Sequence, residues 1–106
     1  MERVVENGKV AVLVSPEYGA GWYSWNEGFE PILFDPMIVE MVRNNRHDEI
    51  ESYVKRHYKD KDIYCGGAEN LVIVWVDLGE RFRIDEYDVW ETLVLESEAE
   101  PEWITA

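Results

Sequence analysis

Several features that define common protein classes are scarce in this chain of 106 residues. It has one cysteine, Cys65, which excludes an internal disulfide and fits a reducing cytoplasm. No apolar run approaches the roughly 18 residues of a membrane span. The first residues lack the basic start and apolar middle of a signal peptide. We therefore expect a cytoplasmic protein without a membrane segment.

Metal-binding and catalytic signatures are also scarce. The two histidines, His47 and His57, are ten residues apart and would lie on different sides of one helix. No HExxH, CxxC or GxSxG motif is present, and Cys65 has neither a helix N-terminus nor an evident base beside it. We therefore expect no metal, no cofactor and no catalytic residues, and a binding protein more readily than an enzyme.

Positive charge is in short supply, since ten basic residues face 23 acidic ones and the formal net charge is −13. This charge opposes direct binding to nucleic acid or to an anionic membrane, but it leaves open a basic partner protein. Residues 77–106 have only two bases against ten acids, whereas residues 43–76 have six of each. The bases of this basic island are Arg43, Arg46, Lys55, Arg56, Lys59 and Lys61. The island is either a solvated helix face with pairs such as Glu51–Lys55, or an anion site or docking surface for a second subunit.

Aromatic side chains are abundant, most densely in residues 15–26, SPEYGAGWYSWN, which we call the aromatic loop. Its rings belong to Tyr18, Trp22, Tyr23 and Trp25. Each large ring carries roughly 150–250 Å² of mostly apolar surface, so the loop either closes its own core or forms the wall of a pocket. Gly19 and Gly21 permit a positive φ and the close approach of another group. Ser24 and Asn26 add short polar groups that could orient a small ligand.

Turn and capping signals define the first elements. Asn7 and Gly8 stand between two apolar runs and predict a β-hairpin. The strand that follows, Lys9–Val14, does not alternate, which predicts burial of both faces. Asp35, followed by proline, predicts the start of a helix over residues 36–44.

The second half of the chain reads as one helix and then three strands. Apolar residues recur at helical spacing over residues 47–59, and His57 lies on this apolar stripe, which predicts a buried histidine. Strong β-formers and alternating patterns predict strands at residues 71–76, 81–85 and 90–95.

This order of elements predicts an α+β fold. We expect an antiparallel sheet of about four to five strands with two helices on one face, in the order ββ-αα-βββ. Residues 1–95 would form a single domain, and residues 96–106 a frayed acidic tail, in which Trp103 and Ile104 could dock on the body or on a partner. The two-sided apolar strands and five tryptophans exceed what this sheet can cover, which predicts a homo-oligomer.

Three acids, Asp85, Glu86 and Asp88, interrupt the last strand pair beside two aromatic residues. They either form an exposed turn that favours solubility, or place Glu86 or Asp88 against the aromatic loop. An acid beside stacked rings suits a ribose diol, an amine or a base edge. A further alternative is an enzyme that uses Asp35, Glu86 or Asp88 as acid or base.

Three motifs together resemble a family of small uncharacterised proteins encoded in tailed-phage genomes. They are GAGWYSWN after a strand, LFDP at a helix start, and FRIDEYD near the end, matching the family's GAGWxxWN, LFDP and FRIxEYD. The similarity covers roughly residues 9–95. It implies a small accessory protein that acts in the cytoplasm of an infected bacterial host, where countering host defence is a common task.

We therefore predict a non-enzymatic phage accessory protein that counters host antiviral defence by binding a nucleotide-derived signal in an aromatic pocket. The rings would stack on the ligand, and bases from the island would meet its phosphate, with a neighbouring subunit as a possible source. The predicted ligand-binding residues are Tyr18, Gly19, Gly21, Trp22, Tyr23, Trp25, Asn26, Arg43, Lys55, Arg56, Glu86 and Asp88. The alternative is an acidic inhibitor whose residues from Asp77 to Glu102 imitate nucleic acid on a host defence nuclease or another protein with a basic surface.

Overall fold

Two antiparallel sheets and a group of short helices make up the computed structural model of the chain. The structure describes residues 3–16, 21–26, 28–87, 90–95 and 104–105. Strands β1 (Val5–Glu6), β2 (Lys9–Val14) and β3 (Val72–Asp77) form the first sheet in the order β1-β2-β3. Strands β4 (Arg81–Tyr87), β5 (Trp90–Leu95) and β6 (Ile104–Thr105) form the second sheet in the order β5-β4-β6. The α-helices are α1 (Pro31–Phe34), α2 (Pro36–Arg43) and α3 (Ile50–His57), and short 3₁₀ turns lie at Tyr23–Trp25, His47–Glu49 and Ala68–Asn70.

The α+β class with antiparallel strands is confirmed, but the finer arrangement predicted from the sequence is wrong. The strands divide into two sheets rather than one, and the described residues contain three α-helices rather than two. The additional helix is α1, to which the sequence analysis assigned no structure; it ends at Phe34, directly before Asp35. The chain turns at Leu78 and Gly79, where Gly79 has a φ of 87°, so that β4 leaves the first sheet.

The central strand β2 explains why there are two sheets. Its side chains alternate, with Ala11 and Leu13 packed against the helices, and Val10, Val12 and Val14 packed against the second sheet. All five are buried, so the predicted burial of both faces is confirmed. Because full burial of a valine or leucine is worth about 1.5–3 kcal/mol, covering both faces of β2 stabilises a layered arrangement over one wide sheet.

The first hairpin and the start of α2 follow the sequence signals. Asn7 and Gly8 have positive φ values of 53° and 75°, and β1 pairs with β2 from Val5–Val10 to Glu6–Lys9. Asp35 caps α2, because its Oδ1 accepts hydrogen bonds from the backbone N–H of Met37 at 2.8 Å and of Ile38 at 3.3 Å. Both predictions are confirmed.

The predicted helix over residues 47–59 begins as a 3₁₀ turn and becomes α3 only at Ile50. Its fully buried residues are Ile50 and Val54, and Tyr53 is partly buried. The prediction of a buried histidine is wrong, since His57 is exposed. The buried stripe is narrower than the apolar pattern, and His57 packs flat on the outer side of Tyr53, with ring centroids 5.1 Å apart.

Two residues of the predicted acidic tail form a strand. β6 pairs with β4 through Arg81–Thr105 and Phe82–Ile104, and Ile104 packs on the cluster around Phe82. Residues 96–103, which include Trp103, lie outside the described part of the chain. None of the described helices is long and apolar enough to cross a bilayer.

Candidate ligand-binding cleft

The two tryptophans that the structure describes in the aromatic loop lie in opposite environments. Trp22 is fully buried, and its indole Nε1 donates a hydrogen bond to the backbone oxygen of Ile32 at 2.9 Å. Trp25 is 46% exposed, on the far side of the Tyr23–Trp25 turn. The two interpretations of the aromatic loop therefore apply to different rings: Trp22 closes the core, and Trp25 presents a surface.

A buried carboxylate fixes the backbone of this loop. Glu91 of β5 is 1% exposed, and its Oε1 accepts a hydrogen bond from the backbone N–H of Ser15 at 3.0 Å. Its Oε2 accepts from the backbone N–H of Trp22 at 2.7 Å and of Ser24 at 2.9 Å, and from the Ser24 hydroxyl at 2.7 Å. Hydrogen bonds to an ionised acceptor are roughly twice as strong as neutral ones. Glu91 therefore provides hydrogen-bond acceptors for backbone N–H groups of the loop, as a neighbouring strand does in a sheet.

The sequence analysis missed Glu91, although one signal was present. The alternation of β5 places Glu91 on the same face as Leu93 and Leu95, which pack into the core. An acid on an inward-facing strand position requires buried donors, because an unpaired buried carboxylate is very unfavourable. Nothing local identifies those donors, which lie 67 to 76 residues earlier in the chain.

Gly21 is required by close packing rather than by an unusual backbone angle. A Cβ atom at this position would clash with the ring of Trp25 and with Oγ of Ser24. Gly21 itself is buried, and Ser24 is one of the residues that bind Glu91. The sequence analysis gave two reasons for glycine in this loop, a positive φ and the close approach of another group. At Gly21 the second reason applies.

Trp25 forms one wall of a surface cleft with a volume of about 510 Å³. Its indole is stacked on the ring of Tyr64, with centroids 5.3 Å apart and planes inclined by 25°. On another wall Lys61 holds its Nζ 5.2 Å from the centroid of Phe29, within the range of a cation–π contact. The described lining of the cleft thus combines exposed aromatic surface with one cation and one carboxylate, Asp62. The residues that line it are Trp25, Asn26, Gly28, Phe29, Lys61, Asp62 and Ile63.

Asn26 supports the cleft wall rather than offering free polar atoms to a ligand. Its Nδ2 donates hydrogen bonds to the backbone oxygens of Trp22 at 2.7 Å and of Tyr64 at 3.0 Å. Its Oδ1 accepts from the backbone N–H of Tyr64 at 2.7 Å. Both amide protons are engaged, so the side chain connects the aromatic loop to residue 64 and fixes the Trp25–Tyr64 stack.

A second buried carboxylate lies behind the Phe29 wall. Asp35 is 2% exposed, and its Oδ2 accepts hydrogen bonds from the hydroxyls of Tyr53 at 2.8 Å and of Tyr58 at 2.6 Å. Burial, and then the neighbouring Asp35 carboxylate, raises the pKa of Tyr53 and of Tyr58 well above the usual range. Both hydroxyls therefore stay protonated and remain donors. The ring of Phe29 meets that of Tyr58 edge to face, with centroids 5.6 Å apart.

The basic residues assigned to the ligand lie elsewhere among the described residues. Arg43 forms a bidentate ion pair with Glu6, in which Nη2 and Oε1 are 3.2 Å apart. Lys55 forms the predicted pair with Glu51 at 3.1 Å. Arg56 donates from Nε to the backbone oxygen of Ser52 at 3.3 Å. The cation at the cleft is instead Lys61, another member of the basic island, which the predicted set omitted together with Phe29 and Tyr64.

The acids near the end of the chain divide between the aromatic loop and the surface. Oε2 of Glu86 lies 3.0 Å from Oγ of Ser24, so the structure brings Glu86 to the aromatic loop. Asp85 pairs with Arg83 at 2.9 Å.

Tyr23 of the predicted site is partly buried, and burial raises the pKa of its hydroxyl. The remaining predicted residues, Tyr18, Gly19 and Asp88, lie outside the described residues.

Comparison with known proteins gives no relative on which to base a function. No protein-family model, no curated protein and no solved structure matches the chain. Among the described residues, no three histidine, cysteine or acidic side chains are grouped so that they could hold a metal ion. Among the described residues, the cleft offers aromatic rings, the ammonium group of Lys61, the carboxylate of Asp62 and the backbone around them.

Proposed function

We propose that this chain is a non-enzymatic binding protein whose cleft takes a small, flat, anionic ligand of the nucleotide class. The observation that carries the proposal is the placement of Trp25 and Lys61 at the same cleft, one 46% exposed and the other cationic. Stacking of a base on an aromatic side chain is worth about 1–3 kcal/mol. An ammonium group at the same cleft supplies a partner for a phosphate.

The fixed position of the Trp25 side chain supports a role for this exposed ring in binding a ligand. The indole is stacked on Tyr64, and Asn26 ties the backbone of both segments together by three hydrogen bonds. A wall that is already ordered loses little conformational entropy when a ligand binds. The volume of about 510 Å³ lies within the range of small-molecule sites.

The charge of the whole chain limits how the ligand is held. With a net charge of −13 the molecule repels anions at a distance, and Asp62 also lines the cleft. Lys61 therefore attracts a bound anion at contact distance, where screening by salt is weakest. Repulsion of the anion by the rest of the surface extends over about a Debye length of 8 Å. We expect binding to depend more on stacking than on long-range attraction.

The resemblance to tailed-phage proteins supports a biological context for this chemistry. In it, the protein sequesters a nucleotide-derived signal in the cytoplasm of an infected bacterium and so counters antiviral defence. A homo-oligomer belongs to the same proposal and is supported by exposed apolar side chains at Val5, Val72 and Leu78. Such an assembly would present several clefts on one particle.

Calorimetric titration tests the proposal with cyclic nucleotides and ADP-ribose derivatives against the native chain and two pairs of variants. Trp25→Ala should weaken binding at least tenfold, whereas Leu78→Ala, which removes a more exposed apolar side chain elsewhere, should not. Lys61→Met should weaken binding of phosphorylated ligands, whereas Lys55→Met, from the same basic island, should leave it unchanged. Absence of heat with every ligand at high micromolar protein would contradict the proposal.

The alternative functions receive less support from the described residues. Of the acids in the segment from Asp77 to Glu102, Glu91 is buried, whereas Asp77 and Asp85 are exposed but each pairs with a basic side chain, Lys9 and Arg83, which offsets part of the negative charge that a nucleic-acid mimic needs. A partner held by charge mimicry should be lost steeply as salt rises, so a salt-resistant pull-down would exclude it. An enzyme that uses Asp35 as acid or base is disfavoured because both oxygens of Asp35 already accept hydrogen bonds.

A further inference from the structure

We infer that Asp35 is a positioning residue for the cleft and acts through Tyr58, an inference that rests on the proposed binding function. Asp35 does not line the cleft, and its carboxylate is buried between α2 and the end of α3. Tyr58, however, connects this carboxylate to two cleft residues at once. The geometry therefore assigns to a buried acid, whose sequence signal is that of a helix cap, a second role in ligand binding.

Tyr58 supports the cleft through both its ring and its backbone. The edge-to-face contact at 90° sets the orientation of Phe29, which lines the cleft. The backbone oxygen of Tyr58 accepts a hydrogen bond from the N–H of Lys61 at 2.8 Å, which closes the turn that carries the cleft cation. The Phe29 ring and the backbone of Lys61 are thus both held by one residue.

Asp35 is suited to hold Tyr58 because it is itself fixed. Its Oδ1 is engaged by the first N–H groups of α2, where the helix dipole favours negative charge. Its Oδ2 receives the Tyr58 hydroxyl at 2.6 Å. A charge-assisted hydrogen bond of this length restricts the side chain more strongly than a neutral one. The hydroxyl therefore anchors the far end of the ring on which Phe29 rests.

Tyr53 provides an internal control for this role. Its hydroxyl donates to the same Oδ2 of Asp35, at 2.8 Å, and it belongs to the same helix. Its ring, however, stacks on His57, which does not line the described cleft but meets the ring of Tyr58 edge to face at 4.6 Å, so two rings separate Tyr53 from Phe29. Removal of either hydroxyl takes one hydrogen bond from Asp35, but only removal of the Tyr58 hydroxyl releases a residue that contacts Phe29 and the Lys61 turn.

The experiment compares Tyr58→Phe with Tyr53→Phe in two measurements. The first is calorimetric titration with adenosine 5′-monophosphate and ADP-ribose, in which we expect Tyr58→Phe to weaken binding about tenfold and Tyr53→Phe less than twofold. The second needs no ligand: NMR follows the hydrogen exchange of the Lys61 amide and the ring resonances of Phe29. Both should change in Tyr58→Phe and stay as in the native chain in Tyr53→Phe.

The two measurements separate failure of this inference from failure of the proposed function. If no nucleotide binds the native chain but Lys61 and Phe29 respond only to Tyr58→Phe, the proposed function fails and the positioning role stands. If neither variant, or both equally, alters Lys61 and Phe29, the inference is wrong whatever binds. Should Tyr58→Phe fail to fold, Asp35→Asn, which keeps a good helix cap, replaces it, and unchanged Lys61 exchange in that variant would overturn the inference.

Discussion

Asp35 and Glu91 are two buried carboxylates that organise different parts of the molecule, and each accepts four hydrogen bonds from the residues that the structure describes. Asp35 takes two from the first turn of its own helix and two from tyrosine hydroxyls. The four described bonds to Glu91 come from Ser15, Trp22 and Ser24 of the aromatic loop, three of them from backbone N–H groups. A helix end can be capped by several residue types, whereas three backbone N–H groups of the loop donate to this one side chain. The aromatic loop should therefore depend more on a single residue than the helical layer does.

The largest effect should come from Glu91→Gln, which keeps the size of the side chain but removes its charge. The amide nitrogen of glutamine would face buried N–H donors, so at least one donor would lose its acceptor. Breaking a buried charged network in this way costs about 3–5 kcal/mol. We expect the free energy of unfolding, measured in urea, to fall by about 4 kcal/mol.

Glu86→Gln is the matched control, because Glu86 contacts the same Ser24 hydroxyl from an exposed position. That hydroxyl has one proton, which the shorter bond gives to Glu91. A glutamine amide can donate to Oγ of Ser24 without competing for that proton. We expect a change below about 0.5 kcal/mol, as for most surface substitutions. A loss as large as that of Glu91→Gln would show that burial does not distinguish the two acids.

The second largest effect should come from Asp35→Ala. This change removes the cap of α2 and leaves the hydroxyls of Tyr53 and Tyr58 without their acceptor. A lost cap costs about 1 kcal/mol, and a lost bond to a charged group more than that, so we expect about 3 kcal/mol in urea unfolding. Asp35→Asn should lose only about half as much. Equal losses in the two variants would mean that the charge accounts for the whole contribution of Asp35, and the contrast with Glu91 would disappear.

The same contrast explains what could be predicted from the sequence. The hairpin at Asn7-Gly8 and the cap at Asp35 depend on neighbours within four residues, so the local sequence predicts both. The anchoring of the loop by Glu91 depends on donors some 70 residues away, which local sequence cannot reveal. The division into two sheets is of the same kind, because it follows from covering both faces of β2 after the whole chain has folded.

The candidate site shows the same division. The sequence identified the aromatic loop as a possible pocket wall, but the choice between Trp22 and Trp25 depends on which ring lies on the inner side of the 3₁₀ turn. The sequence also predicted a cation near the rings, but Arg43, Lys55 and Arg56 are not among the described residues that line this cleft, whereas Lys61 is. Lys61 reaches the cleft because the turn after α3 is closed on Tyr58, a contact that the helical pattern does not encode.

A smaller effect should follow from Gly21→Ala, which tests whether the aromatic loop tolerates looser packing. The added methyl group would push against Trp25 and Ser24 and so disturb the donors of Glu91. Overpacking of this kind typically costs 1–3 kcal/mol, and we expect about 2 kcal/mol in urea unfolding. Combining the change with Trp25→Ala should recover part of that loss, since one of the two clashing groups is removed. No recovery would place the strain entirely at Ser24.

The smallest effect should appear in alkaline solution and concerns the Asp35 side of the comparison. In the folded state the pKa of Tyr53 and of Tyr58 is raised above the usual value of about 10, mainly by burial and then by Asp35. Above pH 10 the unfolded chain loses these protons while the folded chain keeps them, so the free energy of unfolding falls as pH rises. Because both rings are partly exposed, we expect about 1 kcal/mol for the pair between pH 9 and pH 10.5 rather than the full linkage value. In the variant with both tyrosines changed to phenylalanine, the free energy of unfolding in urea should decline less over this pH range. Parallel pH profiles of the variant and the native chain would mean that neither hydroxyl is held protonated by its burial beside Asp35.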